Sequence, residues 1–298
     1  MNPVVFFGYW SGALPPVTDL HFRSFVHHHP EQVYELWLDT DAASSIDAPE
    51  LQWIKSHPRI RIRPFSLDAL IQQHVTGQAL HRYNRWQGLK KLGRKLHRIG
   101  GAKGFGAKAF DHALFGPTYQ HSSALFGGFR LNKAYRGDLA RCLIPMAHYE
   151  QPSLYADLDV CFTSNLLDLC GATAFSYRWE SFGFANSALL YLPGKSLSEA
   201  LVRRGCELEN FLPWILFTDE NCNALGIQIH PTTMFDPLWS PGSVLFGSPG
   251  LFFKGHSDLS AVMSQLKREN YRAIHWHNNW RTTPAPDSVF RALLAESS

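Results

Sequence analysis

Residues 154–160 read LYADLDV, an apolar run that carries two carboxylates, Asp157 and Asp159, two positions apart. In an extended chain side chains alternate between faces, so both aspartates are expected on one side while Leu158 and Val160 enter a core. A pair of carboxylates at the solvent end of a strand suits a hard divalent cation. Such an ion takes oxygen ligands and keeps open positions that phosphate oxygens can fill.

Outward from this run, short apolar segments alternate with helix-like stretches. Strands are expected at Val4–Tyr9, Tyr34–Asp39, Arg59–Phe65, Leu154–Val160, Ala172–Trp179, Ala188–Leu192, Ile227–His230 and Arg272–His277. This alternation predicts an α/β fold with a mixed central sheet flanked by helices. Ser196 with Glu199 three residues later reads as a capping box, and Asp287 as the N-cap of SVFRALLAE. The 298 residues are 45% hydrophobic and 18% charged, which excludes a disordered tail and a charged coiled coil. At about 150 residues per domain the length allows one large domain or two small ones. With no internal repeat and no Gly/Ser-rich linker, one domain over 1–298 is expected, interrupted by an insertion at about 71–128.

That insertion concentrates the charge. The net charge is only +3, yet residues 69–110 hold no Asp or Glu. Arg85, Lys90, Lys91, Arg94, Lys95 and Arg98 alternate with Leu89, Leu92, Leu96 and Ile99, an amphipathic helix with a cationic face. Either it packs by its leucines as a solvated helix, or residues 85–99 attach to an anionic membrane surface or an anionic acceptor. The glycine-rich GGAKGFGAK that follows lacks the ending and the preceding strand of a phosphate loop. Cys142, Cys161, Cys170, Cys206 and Cys222 are odd in number and have no CxxC spacing, arguing against a disulfide framework or a structural zinc site. Such cysteines fit a reducing cytoplasm, and with no basic leader and no apolar run of 18 residues no membrane span is expected, only peripheral attachment to the inner membrane face if the basic helix binds there.

Two further segments carry chemistry. Around KAYRGDLARCLIP, residues 133–145, Leu131, Tyr135, Leu139, Cys142 and Met146 form one helical stripe, with Asp138 and Arg141 an i, i+3 pair on an adjoining stripe. In AIHWHNNW, residues 273–280, His275 and His277 share a strand face and offer imidazole to a metal or a phosphate.

The order DLAR, then LYADLDV, then AIHWHNNW resembles the core of GT-A-fold glycosyltransferases, specifically the sugar-binding-region DXD family. That family includes yeast mannosyltransferases, glucosylating bacterial toxins and bacterial polysaccharide transferases. FFGYWSGALPP resembles its first strand, and HFRSFVHHHPEQVYELWLD the helix and second strand after it. The resemblance implies a GT-A-like fold and a metal-dependent hexosyltransferase of polysaccharide or lipopolysaccharide synthesis. It implies a UDP-linked sugar donor, Mn2+ or Mg2+, a glycan or lipid-linked acceptor, and retention. By the same resemblance Tyr9, Trp10 and Asp39 meet the base or ribose, and Asp138 and Arg141 meet the ribose and donor sugar. Asp159, helped by Asp157, holds the cation, with His275 as its terminal ligand and His277 as the alternative. Asn186 contacts the sugar, and Asp219 and Glu220 lie in an acceptor-side segment; with Glu180 they are the candidate carboxylates of the reaction. Arg281 is near enough in sequence to assist the diphosphate. Two other classes stay open: a metal-dependent nucleotide-sugar hydrolase, which would use the same donor site without an acceptor groove, and a binding protein using the basic helix on a membrane or a nucleic acid. On the favoured reading no nucleic-acid partner is expected.

Overall fold

A computed structural model describes residues 3–85, 87–88, 133–179 and 182–298. Lys90 to Arg98 of the expected cationic helix, and Glu180, lie outside the described residues. Among the described residues the strands are β1 (Val5–Trp10), β2 (Tyr34–Asp39), β3 (Ile60–Phe65), β4 (Ser153–Ala156), β5 (Val160–Phe162), β6 (Ala174–Arg178), β7 (Ala185–Leu192), β8 (Ile227–His230) and β9 (Ala273–His275). Seven of them form one sheet in the order β3-β2-β1-β4-β7-β6-β8, and β5 pairs with β9 in a separate ribbon. β3, β2, β1 and β4 are parallel neighbours, β7 runs antiparallel to both β4 and β6, and β8 is parallel to β6. The fold is the expected α/β architecture with a mixed sheet.

The strand order reverses at β1, with β2 and β3 on one side and β4 on the other. In open α/β sheets such a switch point leaves a crevice beyond the carboxyl ends of the strands. Trp10, Asp39 and Asp157 all stand at or just past those ends. Both faces of the sheet are covered. Phe7, Tyr9, Tyr155 and Leu190 join one core, and Phe6, Leu36, Leu154 and Leu189 the other. Helix α1 (Asp19–His28) brings Phe22 and Phe25 to the second core, and α2 (Leu67–His74) and α3 (Lys133–His148) line the first. Gly8 is required where β1 passes Tyr34, since a Cβ there would lie 2.2 Å from the Tyr34 hydroxyl and 2.9 Å from the Ala156 carbonyl.

Several boundaries differ from expectation for local reasons. Gly194, not Ser196, is the N-cap of α4 (Lys195–Glu207), and it makes no side-chain cap. Ser288 caps α6 (Val289–Glu296) in place of Asp287, accepting from the Arg291 N–H at 3.3 Å. Ordinary core packing continues beyond position 71, where Ile71, Val75, Ala79 and Tyr83 are all buried in the first core. Helix α3 departs most from a surface helix: Tyr135 to Pro145 are buried on every side, so its polar residues must find partners inside the protein. All five cysteines are free, and four are buried. Among the described residues no helix is long and apolar enough to cross a membrane.

His21 links α1 to the sheet. Its Nδ1–H donates to the Val160 carbonyl at 2.7 Å and its Nε2 faces the Tyr34 hydroxyl at 2.8 Å. Burial lowers its pKa to about 4, against the backbone bond to Val160 that raises it. The unfolded chain therefore takes up this proton first, and stability falls as pH drops from the unfolded value of 6.5 through about 4. From His21 the loss reaches about 3 kcal/mol, taking about 1.36 kcal/mol per pKa unit. Urea denaturation across this range should show a shallower slope in His21→Gln than in the wild type. Equal slopes would remove His21 from the acid response.

Candidate active site

β4 stops at Ala156, and the chain turns through Asp157 to Val160, closed by Val160 N–H donating to the Asp157 carbonyl at 3.1 Å. The single strand expected over Leu154–Val160 is thus two strands joined by a tight turn. Leu158 and Val160 do enter the core, at 2% and 0% exposure, but the turn, not strand alternation, brings Asp157 and Asp159 together. β5 then pairs with β9, setting Val160 opposite His275.

The C-terminal motif turns as sharply. β9 ends at His275, so the two histidines do not share a continuous strand. His277 and Asn278 have φ of 52° and 62°, successive left-handed residues that are not glycine. Such a conformation costs on the order of 1 kcal/mol or more per residue and persists only where the surroundings enforce it. Here it aims the Asn278 N–H at Asp159 Oδ2 (2.7 Å) and folds the His277 ring back to 4.0 Å from that of His275. Trp276 N–H donates to the Asp159 carbonyl at 2.9 Å, so Asp159 is held by the backbone of the motif on both sides.

The result is a buried cluster of ligand-type atoms. Asp157, Asp159 and His275 offer one atom each within 4.8 Å of one another, as do Asp236, His275 and His277. His275 Nε2 lies 3.3 Å from Asp159 Oδ2, and its Nδ1 meets the Tyr177 hydroxyl (2.9 Å) and Asn186 Nδ2 (3.3 Å). Burial opposes ionisation of Asp159, but His275 and the Asn278 N–H outweigh it and hold the carboxyl at about 2. Burial likewise opposes protonation of His275, and Asp159, Asp236 and Asp157 raise its pKa in spite of that. His277 is lowered, first by burial and then by His275, while its Nε2 donates to Asp236 Oδ2 at 2.7 Å. Asp236 Oδ1 is buried and finds no partner among the described residues.

Asp138 and Arg141 are buried, not a pair on a helix surface. The Arg141 guanidinium reaches Asp138 and Asp157, each at 3.2 Å, donates to the Ser187 hydroxyl, and stacks over Tyr155 at 4.8 Å. Burial raises the Asp138 carboxyl to about 7 despite Arg141. One turn earlier, Arg136 binds Asp39 (2.6 Å), Asp68 (2.8 Å) and Asp41 (3.3 Å).

The remaining expected residues divide between this cluster and other places. Asn186 joins it directly. Asp39 is fully buried and accepts from the Tyr9 hydroxyl at 2.6 Å, from Arg136 and from the Asp41 N–H, so Tyr9 and Asp39 form the floor of the β1–β2 end. Trp10 is half-buried, donates to the Ala13 carbonyl and meets Trp280 edge-on at 4.8 Å. Asp219 and Glu220 are exposed in the first turn of α5 (Asp219–Leu225), where Asp219 pairs with Arg178; neither is part of the buried cluster. Arg281 is exposed. Asp236, Tyr177, Ser187 and Arg136 escaped the sequence reading. Only Asp236 left a trace there, a carboxylate inside the apolar run MFDPLW.

No protein-family model matches the chain, and no curated protein matches it by sequence. Among solved structures it is similar to the galactosyltransferase LgtC in complex with donor and acceptor sugar analogues. That similarity has 12% identity, covers 98% of this chain and 95% of that one, and has a TM-score of 0.45. It is also similar to the glycosyltransferase GlyE of Streptococcus pneumoniae TIGR4, at 12% identity over 100% of this chain and 60% of that one, TM-score 0.48. A third likeness is to mouse xyloside xylosyltransferase 1, at 10% identity over 95% of this chain and 100% of that one, TM-score 0.44.

Because Arg141 neutralises buried carboxylates, Arg141→Met should cost about 3–5 kcal/mol of stability. Arg178→Met, which breaks the exposed pair with Asp219, should cost less than about 1 kcal/mol. Urea denaturation of both variants checks this, and equal losses would contradict the assignment.

Proposed function

We propose that the chain is a metal-dependent glycosyltransferase that moves a sugar from a UDP-linked donor to a glycan or lipid-linked acceptor, with retention, in polysaccharide or lipopolysaccharide synthesis. The observation that carries this reading is the convergence of Asp157, Asp159 and His275 within 4.8 Å at the switch point of the sheet.

The donor set fits a divalent cation. Two carboxylates and one imidazole suit Mn2+, and Mg2+ less well because of the nitrogen. The unpartnered Asp236 Oδ1 in the adjoining set is a further acceptor with no donor of its own among the described residues. Asp157 supports an opening for a ligand here: its side chain is 26% exposed, while that of Asp159 is 3% exposed. Bound there, the ion would act as a Lewis acid on the leaving diphosphate, neutralising the charge that develops as the glycosidic bond breaks.

The chain's own residues supply position and charge. Arg141 fixes the Asp157 carboxylate from behind, so that it keeps its place at the mouth of the site. Asn278 N–H and His275 hold Asp159 as a carboxylate. Trp10, at the carboxyl end of β1, offers its ring as a platform for the flat base, backed by Trp280. Asn186 stands beside His275, its Nδ2 3.3 Å from the imidazole Nδ1, and on this reading would meet the donor sugar.

Calorimetry of UDP binding tests this reading. Affinity should fall at least tenfold with chelator or in Asp159→Ala. It should weaken by about 1–3 kcal/mol in Trp10→Ala, the range for losing one stacked base. Metal-independent binding of UDP, unchanged in Asp159→Ala, would refute the cation site.

A further inference from the structure

Asp236 reaches the cluster from outside both motifs, in the turn that follows β8. Its N–H donates to the Thr232 carbonyl at 2.9 Å, and its own carbonyl accepts from the Trp239 N–H at 3.3 Å and the Ser240 hydroxyl at 2.6 Å. The backbone is thus pinned, and the side chain is 1% exposed. Oδ2 accepts from His277 Nε2 at 2.7 Å and lies 4.0 Å from His275 Nδ1, while Oδ1 has no donor among the described residues. A buried carboxylate oxygen without a donor is costly, and a cation beside it removes that cost.

Two imidazoles complete a set of ligand atoms around it. On a tetrahedral Zn2+ with bonds of about 2.0–2.2 Å, neighbouring ligand atoms stand about 3.3 Å apart. The 2.7 Å and 4.0 Å from Asp236 Oδ2 to the two rings lie on either side of that spacing, and all three residues offer an atom within 4.8 Å of the others. Two nitrogens and one oxygen suit Zn2+, whereas the two oxygens and one nitrogen of Asp157, Asp159 and His275 suit Mn2+. The left-handed backbone at His277, φ 52°, brings its ring to 4.0 Å from that of His275, and the Asp157–Asp159 set makes no use of that ring.

The two sets share His275 but meet opposite edges of it. Nε2 is 3.3 Å from Asp159 Oδ2, and Nδ1 is 4.0 Å from Asp236 Oδ2. A neutral imidazole has one nitrogen lone pair, so it serves one ion at a time. With Mn2+ on Nε2, Nδ1 keeps the proton and donates to the Tyr177 oxygen, 2.9 Å away. With Zn2+ on Nδ1, Nε2 keeps the proton and can only donate to Asp159.

We propose that Asp236, His275 and His277 form a second cation site, of zinc type, that competes with the first for His275 and so inhibits metal-dependent binding of the donor. Zn2+ takes the place of the proton that His277 Nε2 gives to Asp236, and that proton leaves to solvent. The inhibition rests on the glycosyl-transfer reading above; the zinc site itself does not.

Two measurements on the full chain, first freed of metal with chelator, test this. Diffraction from wild-type crystals soaked in Zn2+ alone, recorded at the zinc absorption edge, should show a peak about 2.0–2.2 Å from Asp236 and His277. No zinc peak at Asp236, or zinc on Asp157 and Asp159 instead, would overturn the site. Calorimetry of UDP with Mn2+, with and without stoichiometric Zn2+, tests the competition. Zinc should weaken UDP binding at least tenfold in the wild type. In His277→Asn, whose asparagine tolerates the left-handed backbone, and in Asp236→Asn, zinc should change the affinity less than twofold from each variant's own zinc-free value. No effect of zinc on the wild type, or equal sensitivity in all three proteins, would overturn the competition. A zinc peak at Asp236 in a protein that fails to bind UDP with Mn2+ would uphold the second site and refute the donor reading instead.

Discussion

Helix α3 is buried on every side, and it is habitable because two arginines on it answer carboxylates brought from elsewhere in the chain. Arg141 answers Asp138 and Asp157, and Arg136 answers Asp39, Asp41 and Asp68. Ions removed from water without partners cost several kcal/mol each, so neither the helix nor the acidic ends of β2 and β4 would be stable in this position alone. The two arginines thus tie the carboxyl edge of the sheet to a single rigid element. Asp157 is where the Arg141 half of this network reaches the surface, as Asp41 and Asp68 are for the Arg136 half.

From that edge the site is completed by backbone turns. β5 and β9 form a short ribbon that sets Val160 beside His275, and the left-handed pair His277–Asn278 bends the C-terminal motif onto Asp159. Strain at two consecutive residues is tolerated because the Trp276 and Asn278 amides both bind Asp159. The same bend brings the His277 ring to 4.0 Å from that of His275 and lets Asp236 hold its far nitrogen. One local distortion therefore assembles both sets of ligand-type atoms, which share His275.

Much of the fold was legible because its strands are short apolar runs between helical segments, and β2 and β8 fall where those runs predict. The carboxylates and histidines were legible as residues, but their geometry was not. Periodicity assumes an unbroken strand, and turns at Asp157 and His277 broke it. Arg136 was invisible for a different reason: its partner Asp39 lies 97 residues away, and nothing local distinguishes a buried arginine from a solvated one. Asp138 and Arg141 show the same limit, since an i, i+3 ion pair reads alike on a surface and in a core. Asp219 and Glu220 stood out as adjacent carboxylates after an apolar stretch, a pattern that the exposed first turn of α5 also produces.

The central claim is that the end of β4 and the C-terminal motif build one cation site at the switch point. Crystals grown with Mn2+ and UDP, measured at the manganese absorption edge, test it most directly. The account predicts an anomalous peak within coordination distance of Asp159 and His275, contiguous with the diphosphate density beyond Asp157. A peak elsewhere, or UDP bound at the strand ends with no peak beside it, would contradict it.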